Sequence, residues 1–361
     1  MIYIIKKMYN TCGNYYNTLI RGINPCIDTI NPYIDTINTN ISNELDIIDS
    51  LEKGAYIHKE VRKHLYKFLK PNIKLLDIAK IIESKTKELS INNNTINNGI
   101  GFPSSLSLNN CAAHFHPLST DEIVFSKNDV LKIDFGIEIN GWIIDSAFTI
   151  SFDYKYDNLL KAVKESTEVG IKNAGIDVNI NDWSGLIQET MESYEIELNN
   201  NNYNINPIYN LGGHNILKET IHGGVFLPSV KNIISKNTKF EEGVYAIETF
   251  GSTGSNYAKT LDNENTLYML NNNNINNLTD NNKLLYDKIV SDFKTIPFTD
   301  RYIEIYNINN YKNNIKYLCD NNIIKTYPPL FVDNGSYTAQ YEHTIYINEN
   351  KKIVFSQDID Y

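Results

Sequence analysis

The sequence predicts an α+β fold in which two helices followed by antiparallel strands occur twice along the chain. Three observations carry this expectation. Helical periodicity from about Glu52 to Leu89 gives way to strand-like runs ending at Phe152, and the same order returns from Asp157. Val130–Phe152 holds two apolar, β-branched runs around Asn140-Gly141, the strongest short-range hairpin signal. Two later strand-like runs, Gly243–Phe250 and Tyr337–Ile345, each carry a carboxylate among apolar residues. Together they suggest a pseudo-two-fold arrangement of helix pairs behind an antiparallel sheet.

The chain opens differently. A seven-residue unit, Ile23-Asn-Pro-Cys-Ile-Asp-Thr, recurs from Ile30 and, degenerate, from Ile37. A heptad suggests a coiled coil, but Pro25 and Pro32 interrupt a continuous helix. Residues 1–48 therefore read as a low-complexity extension and residues 49–361 as the folded domain. Asparagine tracts at Asn92–Asn94, Asn199–Asn202 and Asn271–Asn274 mark surface loops.

Within the domain, Val61, Leu65, Phe68 and Leu69 have helical spacing, and Pro71 ends that segment. Leu75, Ile78, Ala79 and Ile82 begin a second helix that reaches about Leu89. The second round has helices near Asp157–Lys172 and Asp182–Tyr194. A mostly helical insertion occupies about 270–327, with Leu284, Leu285, Ile289 and Phe293 as its clearest apolar face, and Tyr327-Pro-Pro-Leu330 closes it.

The hairpin is the most informative stretch. With Asn140 and Gly141 as turn residues, Ile139 faces Trp142, Asp145 stands opposite Gly136, and Ala147 opposite Asp134. Asp134 and Asp145 then share one face as diagonal neighbours, roughly 7–8 Å apart at the backbone. Two carboxylates that close repel and lose hydration unless something neutralises them, as a divalent cation would. A solvated strand face explains the same two residues equally well.

Composition narrows the function classes. The 361 residues are 42% hydrophobic and 21% charged, as in a globular protein, and the net charge is −10. No block of lysine or arginine offers a nucleic-acid face. Cys12, Cys26, Cys111 and Cys319 have neither metal-like nor paired spacing, which fits reduced thiols in the cytoplasm. No apolar run is long enough to span a membrane, and the first apolar run is too short for a signal peptide.

Asp134, Asp145, Glu248 and Glu342, with His214 behind two glycines, make four carboxylates and one imidazole. Such a set suits two divalent cations about 3.5–4 Å apart. Taken singly, a strand carboxylate more often faces solvent, and spacing alone does not show that the five converge.

Several stretches resemble the type 2 methionine aminopeptidases over roughly residues 50–361: S-L-N-N-C-A-A-H, L-K-I-D-F-G, I-I-D-S-A-F-T, G-V-Y-A-I-E-T-F-G-S-T-G, Y-P-P-L and G-S-Y-T-A-Q-Y-E-H-T-I. The resemblance implies the pita-bread fold, a curved antiparallel sheet backed by helices, with the insertion as the helical subdomain of type 2 enzymes. It implies two divalent ions per chain (Mn, Co, Fe or Zn) held by Asp134, Asp145, His214, Glu248 and Glu342. It also implies a metal-bridging hydroxide that attacks the first peptide bond, with Glu248 carrying the proton to the leaving amine and His114 and His222 assisting. Phe102, Ile221 and Leu267 would line the methionine pocket and Tyr327 would cover it, with core packing as the rival role for Phe102, Ile221 and Tyr327. The substrates implied are N-termini of nascent polypeptides with a small second residue, processed by a cytoplasmic monomer.

Two departures stand out. Where the family commonly reads S-H-Y-M, this chain has Thr266-Leu-Tyr-Met269, so Leu267 replaces a pocket histidine. Residues 1–48 also lack the lysine- and acid-rich blocks that many relatives carry, so no ribosome contact is carried over. An Xaa-Pro peptidase and a non-catalytic binding protein on the same fold are the rival readings.

Overall fold

The computed structural model describes residues 31–90, 99–234, 236–261, 267–271, 278 and 280–359, with side chains from Asn43 onward. The first copy of the seven-residue repeat, with Pro25, and Asn92–Asn94 lie outside the described residues. The chain divides into two units after Asp49, and residues 50–361 contain every element that builds the site.

Helix α1 spans Asn31–Tyr66 and so begins well before Glu52. Pro32 falls in its first turn, where no intrahelical amide is required, and the degenerate third copy of the repeat has no proline to interrupt it. The helix also stops sooner than Pro71 suggested. The amides of Lys67 and Phe68 turn back to the carbonyls of His64 and Leu65, and Phe68, 43% exposed, lies beyond the end. Helix α2, Leu75–Leu89, buries Leu75, Ile78, Ala79 and Ile82 as the spacing predicts.

Strands β1 (Ile100–Leu108), β2 (Val130–Ile139) and β3 (Trp142–Ser151) form one antiparallel sheet in that order. Asn140 and Gly141 both have positive φ, 53° and 88°, as a type I′ turn requires. The register follows: Ile139 pairs Trp142, Gly136 pairs Asp145, and Asp134 pairs Ala147.

Helices α3 (Asp157–Asn173) and α4 (Ile180–Glu192) come next. The α4 start precedes Asp182 because the Asn179 side chain accepts from the amides of Asn181 and Asp182, at 3.0 and 3.2 Å. Ile171, Trp183 and Ile187 pack on Tyr245, Ile247, Ile345 and Ile347 of the second sheet. That sheet runs Phe226–Pro228, then β4 (Gly212–Ile216), β5 (Gly243–Ser252), the late strand Thr338–Ile347, and Lys352–Val354.

Between β5 and that late strand lies the insertion. It comprises β6 (Leu267–Leu270), α5 (Asp280–Asp292), α6 (Asp300–Glu304), α7 (Tyr311–Asp320) and β7 (Ile324–Tyr327). Leu285, Ile289 and Phe293 enter its own core with Tyr268, Phe298 and Leu318, whereas Leu284 is 49% exposed. The late strand is β8. Among the described residues no helix is long and apolar enough to cross a membrane.

The two sheets meet along β3 and β8 through hydroxyls. Thr344 Oγ1 accepts from the Asp145 amide at 2.8 Å and donates to the Asp145 carbonyl at 2.7 Å. Ser146 Oγ donates to the Glu342 carbonyl at 2.8 Å. Thr149 Oγ1 donates to the Gln340 carbonyl at 2.7 Å and accepts from the Gln340 amide at 2.8 Å. This seam fixes the backbone at two of the candidate ligands.

Candidate metal centre

Period-two alternation decides which side chains meet. On β8, Glu342 stands opposite Glu248 of β5, and Ala246 of β5 stands opposite His214 of β4, so His214, Glu248 and Glu342 share one face. Asp134 and Asp145 reach the same space from the hairpin. Ligand atoms of Asp145, His214 and Glu342 lie within 4.8 Å of one another, as do those of Asp134, Glu248 and Glu342. Glu342 is common to both triads. His214 Nε2 is 3.4 Å from Asp145 Oδ2.

The donor set passes a test of fit for divalent cations. Full charges 4.8 Å apart repel by about 3–4 kcal/mol at an effective dielectric constant of ~20. Burial, reinforced by the neighbouring acids, pushes the Asp134, Glu248 and Glu342 carboxyls well above the usual range. Asp134 Oδ1 is buried with no hydrogen-bond partner, while its Oδ2 accepts from Gln340 Nε2 at 3.2 Å. Divalent cations would neutralise these four acids and give the orphaned oxygen a partner.

The site opens into a cavity of about 360 Å³. Phe102, His114, Ile221, His222 and Leu267 line it together with the five candidate ligands. Phe102 pairs with Gly136, and a Cβ at that glycine would come within 2.3 Å of the Phe102 ring. The glycine opposite Asp145 is therefore what admits an aromatic wall beside the acids. Tyr327 is not part of that lining, but its ring centroid is 6.4 Å from both His114 and His222. His114 adopts φ +65°, an uncommon backbone state for a non-glycine residue. Burial pulls its imidazole down to about 4, against a hydrogen bond to the Pro328 carbonyl. At His222, desolvation and the His214 ring, 4.4 Å away, bring the imidazole to about 4 as well.

The structure thus brings together all five candidate ligands, both extra histidines and the three pocket residues. Sequence reasoning missed Gln340, His116, Pro297 and Phe250. Gln340 and Phe250 had a readable signal, since each is two residues from a site carboxylate on the same strand face. His116 and Pro297 had none.

Four carboxylates and a histidine gathered on this fold mark a metallopeptidase, and residues 49–282 match the model of metallopeptidase family M24. The chain is 45% identical over 325 residues to methionine aminopeptidase 2 of Komagataella phaffii, covering 87% of this chain and 70% of that one. Against methionine aminopeptidase 2 of Saccharomyces cerevisiae it is 45% identical over 330 residues, covering 87% and 76%. The chain belongs to the type 2 methionine aminopeptidases of family M24. Solved structures agree on the fold. A thermophilic Arx1 superposes with a TM-score of 0.73 at 19% identity, covering 88% of this chain and 92% of that one. The methionine aminopeptidase of Thermotoga maritima gives 0.58 at 18%, covering 87% and 97%. The architecture is the pita-bread α+β fold.

Proposed function

We propose that this enzyme removes the N-terminal initiator methionine from nascent proteins and peptides at a centre of two divalent cations. The observation that carries the proposal is the pair of ligand triads sharing Glu342. Asp134, Asp145, His214, Glu248 and Glu342 would hold the two ions between them. An oxygen-rich set of this kind accepts Mn, Fe, Co or Zn. When bound, the ions supply a water acidified to act as nucleophile and polarise the scissile carbonyl.

The chain's own groups do the rest. Glu248, at the cavity wall, carries a proton from the attacking water to the leaving amine. His114 and His222, neutral at physiological pH, offer hydrogen bonds to the substrate amide and the developing oxyanion. Phe102, Ile221 and Leu267 receive the methionine side chain, and Tyr327 closes over the two histidines.

Several further readings belong with this one. Residues 49–361 form the catalytic domain with its helical insertion, and residues 1–48 an extension; the division after Asp49 supports this. The enzyme works in the cytoplasm as a monomer and binds no nucleic acid. The free thiol of Cys319 supports the first of these statements and the net charge of −10 the last. The test is methionine release from Met-Xaa-Ser peptides by metal-loaded enzyme. Faster release with alanine or serine than with leucine or phenylalanine is expected, and equal rates would contradict the substrate assignment.

A further inference from the structure

One polar side chain in the centre is neither a candidate ligand nor part of the pocket wall. Gln340 lies two residues before Glu342 on β8 and is 1% exposed. Its Nε2 donates to Asp134 Oδ2 at 3.2 Å and to Glu248 Oε1 at 2.6 Å. Carboxylates ionised around cations only accept, and the amide presents its nitrogen, not its oxygen, to both. The two acids come from different sheets, Asp134 from the hairpin and Glu248 from β5.

We propose that Gln340 is a positioning residue that fixes two candidate metal ligands from different sheets relative to each other by tying Asp134 to Glu248. The inference rests on the two-cation reading above. One oxygen of Asp134 is occupied by the amide, and Oδ1, the atom left without a partner, is then the one offered to a cation. Gln340 is itself held from behind. Its amide and carbonyl both bond to Thr149 Oγ1 across the seam, so the side chain starts from a fixed backbone.

Charge explains why an amide suits this position. Four carboxylates carry four negative charges and two divalent cations carry four positive ones. An arginine or lysine between Asp134 and Glu248 would satisfy the same oxygens but would add a positive charge that competes with the ions. A neutral donor sets the spacing and leaves the balance unchanged.

The experiment is calorimetric titration of Mn(II) into metal-stripped enzyme, wild type and Gln340→Met, with the Mn(II) electron paramagnetic resonance spectrum recorded at saturation. Methionine has similar volume and no donor, so it removes the tie without opening a cavity. The expected result is two ions in the wild type. The variant should lose 10–100-fold in affinity for at least one ion, with an altered coupled-manganese spectrum. Thr149→Val, which leaves all ligands and Gln340 in place, should weaken binding in the same direction by a smaller factor. It also provides the measurement should Gln340→Met fail to fold. Two ions bound with wild-type affinity and an unchanged spectrum in the variants would overturn the inference alone. A wild type that binds no Mn(II) would overturn the metal reading and the inference with it.

Discussion

Glu248 and Glu342 stand directly opposite each other on adjacent antiparallel strands, the pairing in which like charges cost a sheet most. Both strands are buried along most of their length, with Ile247 and Ile345 fully so. The arrangement is therefore a liability without cations and an asset with them. Metal-stripped protein should melt below metal-loaded protein. A cation at one hundred times its dissociation constant adds about 2.7 kcal/mol, which for a chain of this size is a few degrees of Tm. Differential scanning calorimetry with and without Mn(II) checks this, and Glu342→Gln should shrink the difference.

The titration of the acids has a definite sign. Burial, and after it the neighbouring carboxylates, raises Asp134, Glu248 and Glu342 in the folded, metal-free protein. Folded protein then holds more protons than unfolded protein above the ordinary carboxylate range, so metal-free stability falls as pH rises from about 4. Metal binding must expel those protons. Titrations in buffers of different ionisation enthalpy, run at several pH values, should report net proton release that persists above the ordinary carboxylate range. The absence of any buffer dependence would contradict the raised carboxyls.

Leu267 lines the cavity at the position where the family resemblance predicts a histidine, and it pairs in register with Tyr327. An apolar side chain there removes a hydrogen bond and leaves a plain aliphatic wall. Leu267→His should change KM or kcat several-fold and reorder the preference among Met-Xaa peptides, while metal content stays the same. Identical turnover profiles across several second residues would contradict a pocket role.

The insertion is clamped to the body at one point that predicts a stability effect. Arg301 of α6 makes a two-pronged bond to Glu83 of α2, at 2.7 and 3.0 Å, and donates to the Pro117 carbonyl at 2.7 Å. Both side chains of the pair are 9% exposed. Arg301→Met strands a buried carboxylate and should cost about 3–5 kcal/mol by chemical denaturation, with Glu83→Gln recovering part of it in the double variant. Recovery close to zero would show that packing, not the charge pair, holds the insertion.

These cases show where sequence was readable. The hairpin register followed from Asn140-Gly141 alone, because a two-residue turn with positive φ at both positions leaves one pairing and period two then assigns every face. The meeting of the hairpin acids with Glu248 and Glu342 could not be read locally. It depends on the β3–β8 seam, whose threonine and serine hydroxyls bond backbone groups nearly 200 residues away. Helix boundaries failed where a prolyl residue was read as a barrier although a first turn tolerates it. Gln340 was overlooked because an amide carries no charge signal, although its place two residues before Glu342 put it on the same face.

The most direct test is release of free methionine from Met-Ala-Ser by metal-stripped enzyme titrated with Mn, Co and Zn in turn, with Pro-Ala-Ser as control and Glu248→Ala beside the wild type. Metal-dependent release of methionine alone, abolished in the variant, is the predicted result. No cleavage with any of the metals from folded protein would contradict it and leave a binding protein built on a peptidase fold.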